Sequence, residues 1–185
     1  MINKIRRFKI KYLLKLYSDV KRAEYFRKKK ILHKVGENCK FTTTDFGNEP
    51  YLISIHNNVE IASNVRFITH DNSCFLISKY LNRKDRLDKV GSIEIFDNCF
   101  IGAYSILLPN IKIGPNAIVA AGSVVTKDVK EGEIVGGNPA KKIGTIDKYC
   151  EKLEEVNKDY TWNVNLEERD IILQKRKDFF WGSDK

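Results

Sequence analysis

The stretch Ile95–Val125, "IFDNCFIGAYSILLPNIKIGPNAIVAAGSVV", decides the fold. Its apolar anchors Ile95, Ile101, Leu107, Ile113, Val119 and Val125 recur every six residues without a gap. Gly102, Gly114 and Ala120 directly follow three of them. Four places after each anchor stand Cys99, Ser105, Ile111, Ala117, Ser123 and Val129, mostly small. An amphipathic helix repeats its apolar face every three to four residues and a half-buried strand every two, so neither gives six. A short strand of four or five residues followed by a tight corner does. Three such units close a triangular coil, and coils stack through parallel ladders about 4.8 Å apart. The anchor points into the prism, Gly or Ala tolerates the corner, and a small side chain fits the crowded vertex. Such units bury their apolar side only by stacking, which makes the chain an all-β solenoid, a parallel β-helix of hexapeptide repeats.

The same beat runs upstream through Ile55, Ile61 and Phe67, with Val59 and Val65 as fourth-place partners, and starts faintly at Val35–Cys39 and Phe41. The spacing from Phe67 to Ile95 is not a multiple of six. The polar, charge-rich interval reads as a loop, residues 71–92, thrown out of one corner; loops of that length are usually functional or disordered. Downstream, "VGGNPAKKIG" (Val135–Gly144) is a Gly/Pro exit segment. Thr145 or Asp147 is placed to cap a helix through Tyr149, Leu153 and Val156, and a second helix is expected over Leu166–Phe180. The segment Ile2–Lys30 reads as one or two basic helices with Ile5, Tyr12, Leu13, Leu16 and Val20 near one face. Three parts result: a basic helical segment (1–34), the β-helix (35–136) and an exit segment with helices (137–185).

The net charge of +9 is unevenly placed. Residues 1–34 carry 13 Lys/Arg against Asp19 and Glu24, net +11, and the rest carries 20 Lys/Arg against 22 Asp/Glu, net −2. No basic stripe or nucleic-acid motif accompanies this charge, so nucleic acid is not an expected partner. No apolar run approaches the roughly 20 residues of a membrane span. The N-terminus has no clean apolar core and no small-residue cleavage site, which points to a cytoplasmic protein. The basic segment has two readings: a helix lying on an anionic membrane surface, or a helical cap over the open end of the solenoid. Cys39, Cys74, Cys99 and Cys150 form no CxxC pair, so they are expected as reduced thiols, with Cys39 and Cys99 packed inward.

The repeat, with "EPYLISIHNNVEIASNVRFITHD", "IGAYSILLPNIKIGPNAIVAAGSVVTKDV" and "GGNPAKKIG", resembles the hexapeptide-repeat acyltransferases over residues 35–155. The branch it resembles holds galactoside and maltose acetyltransferases and the O-acetyltransferases of bacterial capsule and lipopolysaccharide. The resemblance implies a left-handed β-helical homotrimer with active sites between subunits, acetyl-CoA as co-substrate, a sugar or glycan acceptor, and no metal. Its base is a histidine beside the extruded loop, matched by His70 in "FITHD". That assignment has an independent rationale: a sugar hydroxyl is a poor nucleophile at neutral pH, and a base of pKa near 7 takes its proton as it attacks a thioester. Charge then builds on the carbonyl oxygen and calls for a fixed donor; the resemblance puts it on the backbone N–H of Ala103, after Gly102. It also implies a donor site at Ala120 and Ala121 (pantetheine), Thr126, Lys127 and Pro139 (adenine end), and Lys141 and Lys142 (phosphates). Phe100 stands where that branch has Trp. Asp71, to orient His70 or hold a sugar hydroxyl, and Glu49 are acceptor-side candidates, with the loop residues 72–86 shaping the pocket.

His33 and His56 read as structural or solvated. β-helical carbonic anhydrases hold zinc with three histidines, two of them five residues apart, and no such pair exists here. Two further functions share much of this sequence: N-acetylation of a nucleotide-linked amino-sugar, and a non-catalytic scaffold. The intact His70 and donor motifs count against the scaffold.

Overall fold

The computed structural model describes residues 14–182. Leu14 and Lys15 are helical, and after a break at Leu16–Ser18 comes α1 (Asp19–Lys28), capped by the Ser18 hydroxyl, which accepts from the Lys21 N–H. Short strands follow: β1 (Lys34–Val35), β2 (Lys40–Phe41), β3 (Ile53–Ile55), β4 (Glu60–Ile61) and β5 (Arg66–Phe67). After an insertion carrying α2 (Cys74–Tyr80) come β6 (Ile93–Ile95), β7 (Phe100–Ile101), β8 (Ile106–Leu107) and β9 (Ile111–Ile113). The repeats end with β10 (Ile118–Val119), β11 (Val124–Val125), β12 (Glu133–Gly136) and β13 (Lys141–Thr145). Two helices, α3 (Ile146–Lys158) and α4 (Arg169–Trp181), close the described chain.

The strands are dealt in rotation to three sheets. Sheet A orders β1-β3-β6-β9, sheet B orders β13-β12-β10-β7-β4-β2, and sheet C orders β11-β8-β5. All pairings are parallel except β12 with β13. Consecutive strands occupying successive sheets trace a three-faced coil, as the period of six requires. One plain coil, three rungs of six, runs from Ile93 to its partner Ile111. Ile53 pairs instead with Ile93, more than two such coil lengths along the chain. The insertion therefore adds over a coil's worth of chain while the ladder stays in register beneath it. Anchors from all three sheets, among them Ile61, Ile95, Ile101, Leu107, Ile113 and Val119, are fully buried in one core.

The corners show a feature the anchors hide. Asn38, Asn58, Asn98 and Asn116 all take positive φ, between 54° and 59°, at the A–B corner. Asparagine enters this left-handed region at low cost. Here the side chains also pair from coil to coil: Asn58 Nδ2 donates to Asn98 Oδ1 at 2.9 Å, and Asn98 Nδ2 to Asn116 Oδ1 at 3.0 Å.

Within the first compact unit, residues 1–146, α1 packs on the first coil. Phe26 meets Phe46 at 4.8 Å between ring centres, Phe46 meets Phe41 at 5.2 Å and Phe67 at 5.0 Å. Leu14, Ala23 and Phe26 are buried, but Leu16 and Val20 are 75% and 47% exposed. The apolar face expected through Leu16 and Val20 is therefore not the one that docks, because Tyr17–Ser18 is non-helical and α1 starts afresh after it. Ile5, Tyr12 and Leu13 of that expected face lie outside the described residues. The exit segment is more ordered than its Gly/Pro content suggests, since β12 and β13 form a hairpin on sheet B. The insertion, read as a loop, carries α2. In the second unit, residues 147–185, Tyr149, Leu153 and Val156 lie along one exposed stripe of α3.

Candidate active site

β5 ends at Phe67, and the chain runs through Ile68 and Thr69 to His70 at the mouth of the insertion. That mouth is stitched shut. The Gly91 N–H donates to Thr69 O at 2.8 Å, the Asp71 N–H donates to Lys89 O at 2.9 Å, and His70 forms an antiparallel bridge with Val90. A residue fixed on both sides in this way keeps its side chain in place without a binding partner, which is what preorganised chemistry needs.

The ring of His70 is held by Glu49, 2.8 Å from Nδ1 to Oε2, and the same oxygen accepts from the Thr69 hydroxyl at 2.6 Å. The Glu49 carboxyl sits below its ordinary value of 4.5, first because of the Thr69 hydroxyl and then because of His70. It is thus an acceptor at neutral pH, so the neutral ring carries its proton on Nδ1, a tautomer assigned from this partner. Nε2 is left with its lone pair, 3.4 Å from Asn72 Nδ2, whose Oδ1 accepts from Arg86 at 3.2 Å. The His70 side chain is 25% exposed and lines an open groove of about 370 Å³ with Asp45, Gly47, Asn48, Arg66 and Thr69.

The expectation that Asp71 orients His70 is corrected by this geometry. Asp71 Oδ1 accepts from the Ser73 N–H at 2.9 Å and Oδ2 pairs with Lys89 at 3.2 Å, so its carboxylate serves the neck of the insertion. These bonds, the Ser73 N–H first, pull the Asp71 carboxyl down to about 2. Glu49, foreseen only as acceptor-facing, is the residue on the imidazole. Its position just before the Pro50–Leu52 turn gave no sequence signal for that contact. Thr69, buried at 1% exposure, went unforeseen.

Because the folded-state value of Glu49 is depressed, its interactions contribute stability above pH 4.5 and lose it as the pH falls through the lowered value. The difference in melting temperature between wild type and Glu49→Gln is therefore expected to be constant from pH 8 to about 5 and to shrink below about 4. Thermal melts across that range check it; an unchanging difference down to pH 3 would remove the carboxylate's role.

Gly102, Ala103, Ala120 and Ala121 come together at the B–C corner of two successive coils. A Cβ on Gly102 would lie 2.4 Å from the Ala121 N and 2.7 Å from Val119 O, so only glycine fits there. Among the described residues, the Ala103 N–H donates to no protein acceptor, while its carbonyl accepts from Gly122. Thr126 and Lys127 are exposed after β11, at the far end of sheet C. Pro139 and Lys141 are exposed on the β12–β13 hairpin, whose turn is tied to β11 by Val124 N–H to Gly137 O and Ala140 N–H to Val124 O. Lys142 is instead paired with Glu133 at 3.3 Å across the hairpin.

His70 and Ala103 are not brought together within one chain. His70 follows β5 and Ala103 precedes β8, the neighbouring strand, so they sit at opposite ends of sheet C. Seven ladder positions separate them, on the order of 20 Å.

His56 has both ring nitrogens engaged, with Lys34 at 3.2 Å and Glu94 at 3.0 Å, and stacks on Phe96; His33 is exposed. Cys39 and Cys99 are buried, and burial pushes the Cys99 thiol up to about 11. Among the described residues no group of three or more His, Cys, Asp or Glu is arranged to hold a metal ion, and no helix is long and apolar enough to cross a membrane.

A three-faced parallel coil of six-residue rungs, with a histidine at the mouth of an insertion, defines a hexapeptide-repeat protein. The model of the bacterial transferase hexapeptide (six repeats) matches residues 92–127. Protein CapG of Staphylococcus aureus is 45% identical over 148 residues, covering 78% of this chain and 84% of that protein. The chain belongs to this family of hexapeptide-repeat transferases and is an acyltransferase. The putative acetyltransferase YvoF of Bacillus subtilis is 37% identical, covering 57% of this chain and 55% of its own. The solved maltose O-acetyltransferase of Clostridium difficile 630 shares the fold, at a TM-score of 0.53 and 24% identity, covering 77% of this chain and 86% of that one.

Proposed function

We propose that the protein transfers an acetyl group from acetyl-CoA to a sugar hydroxyl, as a left-handed β-helical homotrimer working on the cytoplasmic side in bacterial surface-polysaccharide synthesis. One observation carries the chemistry: His70 is held through Nδ1 by Glu49 and lines an open groove. In this reading Nε2 takes the proton of the acceptor hydroxyl as its oxygen attacks the thioester carbonyl. The Ala103 N–H, which has no other acceptor among the described residues, meets the oxyanion. The tetrahedral adduct collapses, the sulfur of CoA leaves with the proton now on His70, and the ester forms. Direct transfer of this kind needs no covalent enzyme intermediate.

The separation of His70 and Ala103 at the two ends of sheet C supports sites built between subunits, His70 of one chain facing Ala103 of the next. Ala120, Ala121, Thr126, Lys127, Pro139 and Lys141 are then the donor side. Lys142, already paired with Glu133, contributes less charge to a CoA phosphate than Lys141 does. The polysaccharide setting rests on the resemblance to capsule and lipopolysaccharide O-acetyltransferases.

The test is release of CoA thiol from acetyl-CoA with maltose, galactose, UDP-N-acetylgalactosamine and glucosamine as acceptors. Turnover is expected with the hydroxyl-only acceptors. Turnover with glucosamine alone, giving an amide product, would replace O-acetylation by N-acetylation; no turnover at all would leave a scaffold. Sedimentation is expected at three times the 21.4 kDa chain.

A further inference from the structure

Among the described residues, nine other than glycine hold positive φ. Seven are asparagine, and Lys30 lies just past α1, where a left-handed residue ends many helices. The ninth is Tyr104, at φ 60°. The ladder places it level with Asn64 in the coil before and Gly122 in the coil after. Both are residue types that enter the left-handed region readily, whereas a bulky aromatic there is strained.

Nothing in the described fold compensates for that choice. The Tyr104 N–H donates to Ser63 O at 3.0 Å, a bond any residue but proline would make. Its side chain is 68% exposed, and among the described residues its hydroxyl makes no hydrogen bond and its ring no ring contact. Strain of this kind persists where function uses it.

We propose that Tyr104 is a binding residue for the acceptor, its ring stacking on the face of the sugar; this rests on the O-acetylation reading above. Two observations place it there. It directly follows Ala103, whose N–H is unengaged among the described residues and is the proposed oxyanion donor. It also lines a groove of about 760 Å³ whose other walls include Thr42, Thr44, Ser63, Asn64 and Arg66. Hydroxyls, an amide and a guanidinium around one exposed aromatic ring form a surface suited to a saccharide, which offers an apolar ring face and many hydroxyls.

The experiment compares wild type, Tyr104→Asn and Tyr104→Phe with maltose, galactose and UDP-N-acetylgalactosamine. Tyr104→Asn, which copies Asn64, is expected to keep or raise the melting temperature. Its KM for the acceptor should rise about tenfold with the KM for acetyl-CoA within twofold of wild type, and Tyr104→Phe should stay near wild type. A fall in melting temperature of several degrees would make the ring a packing residue and overturn the proposal. So would an unchanged acceptor KM, a changed acetyl-CoA KM, or no turnover of any of the three sugars by wild type. If His70→Ala stayed active while Tyr104→Asn raised only the acceptor KM, the base assignment would fall and this one would stand.

Discussion

His70→Ala is expected to lower turnover about 10²–10⁴-fold, the usual worth of a positioned general base, while the melting temperature stays within a few degrees of wild type. The two halves follow from different parts of the geometry. The ring is 25% exposed and has two side-chain partners, Glu49 Oε2 at Nδ1 and the Asn72 amide 3.4 Å from Nε2. When the ring is gone, Glu49 Oε2 still accepts from the Thr69 hydroxyl, and the mouth of the insertion is still closed by Gly91 to Thr69 and Asp71 to Lys89. Little stability is at stake, so lost activity reports chemistry rather than unfolding. Full activity in this variant, measured as CoA thiol release alongside a thermal melt, would refute the mechanism.

The second large effect is on stability. Arg22→Ala is expected to destabilise the protein by about 3–5 kcal/mol, because several charge-assisted bonds are lost and buried carbonyls are left without a donor. Arg22 is 6% exposed although it belongs to a segment of net charge +11. Its Nε donates to Leu14 O at 2.9 Å, Nη1 to Phe41 O at 2.5 Å and Thr42 O at 2.8 Å, and Nη2 to Tyr17 O at 2.8 Å. Asp19 balances the charge at 3.1 Å. One side chain thus joins the residues before α1 to the end of β2. Arg22→Lys is not expected to rescue it, since an ammonium lacks the planar fork that reaches several acceptors. Denaturant unfolding of the three proteins checks this; a loss under about 1 kcal/mol in Arg22→Ala, the worth of one ordinary hydrogen bond, would show that the staple does not hold the cap.

These residues mark where sequence reading runs out. A period of six is a local property, repeated without interruption from Ile95 to Val125, and every anchor in that run is buried. His70 was singled out by its match to the family motif, and it stands where the period breaks. Arg22 was not, since in composition it is one cation among thirteen in residues 1–34. Its burial depends on the carbonyls of Phe41 and Thr42 ending beneath it. Tyr104 carried a faint signal, standing between Asn64 and Gly122 in its column. It becomes informative only when the backbone angle is known, for an exposed tyrosine in an ordinary conformation would mean nothing.

By itself the sequence determined the coil, since only parallel stacking of three-sided rungs buries an apolar residue every sixth place. It also determined that the chain yields to something other than packing after Phe67. Tertiary structure alone decided which carboxylate serves the imidazole. Asp71 is adjacent to His70 but turns into the neck of the insertion, while Glu49, far earlier in the chain, reaches Nδ1. Contacts across coils depend on where the ladder register and the turn at Pro50–Leu52 set each side chain down, and distance along the chain does not encode that.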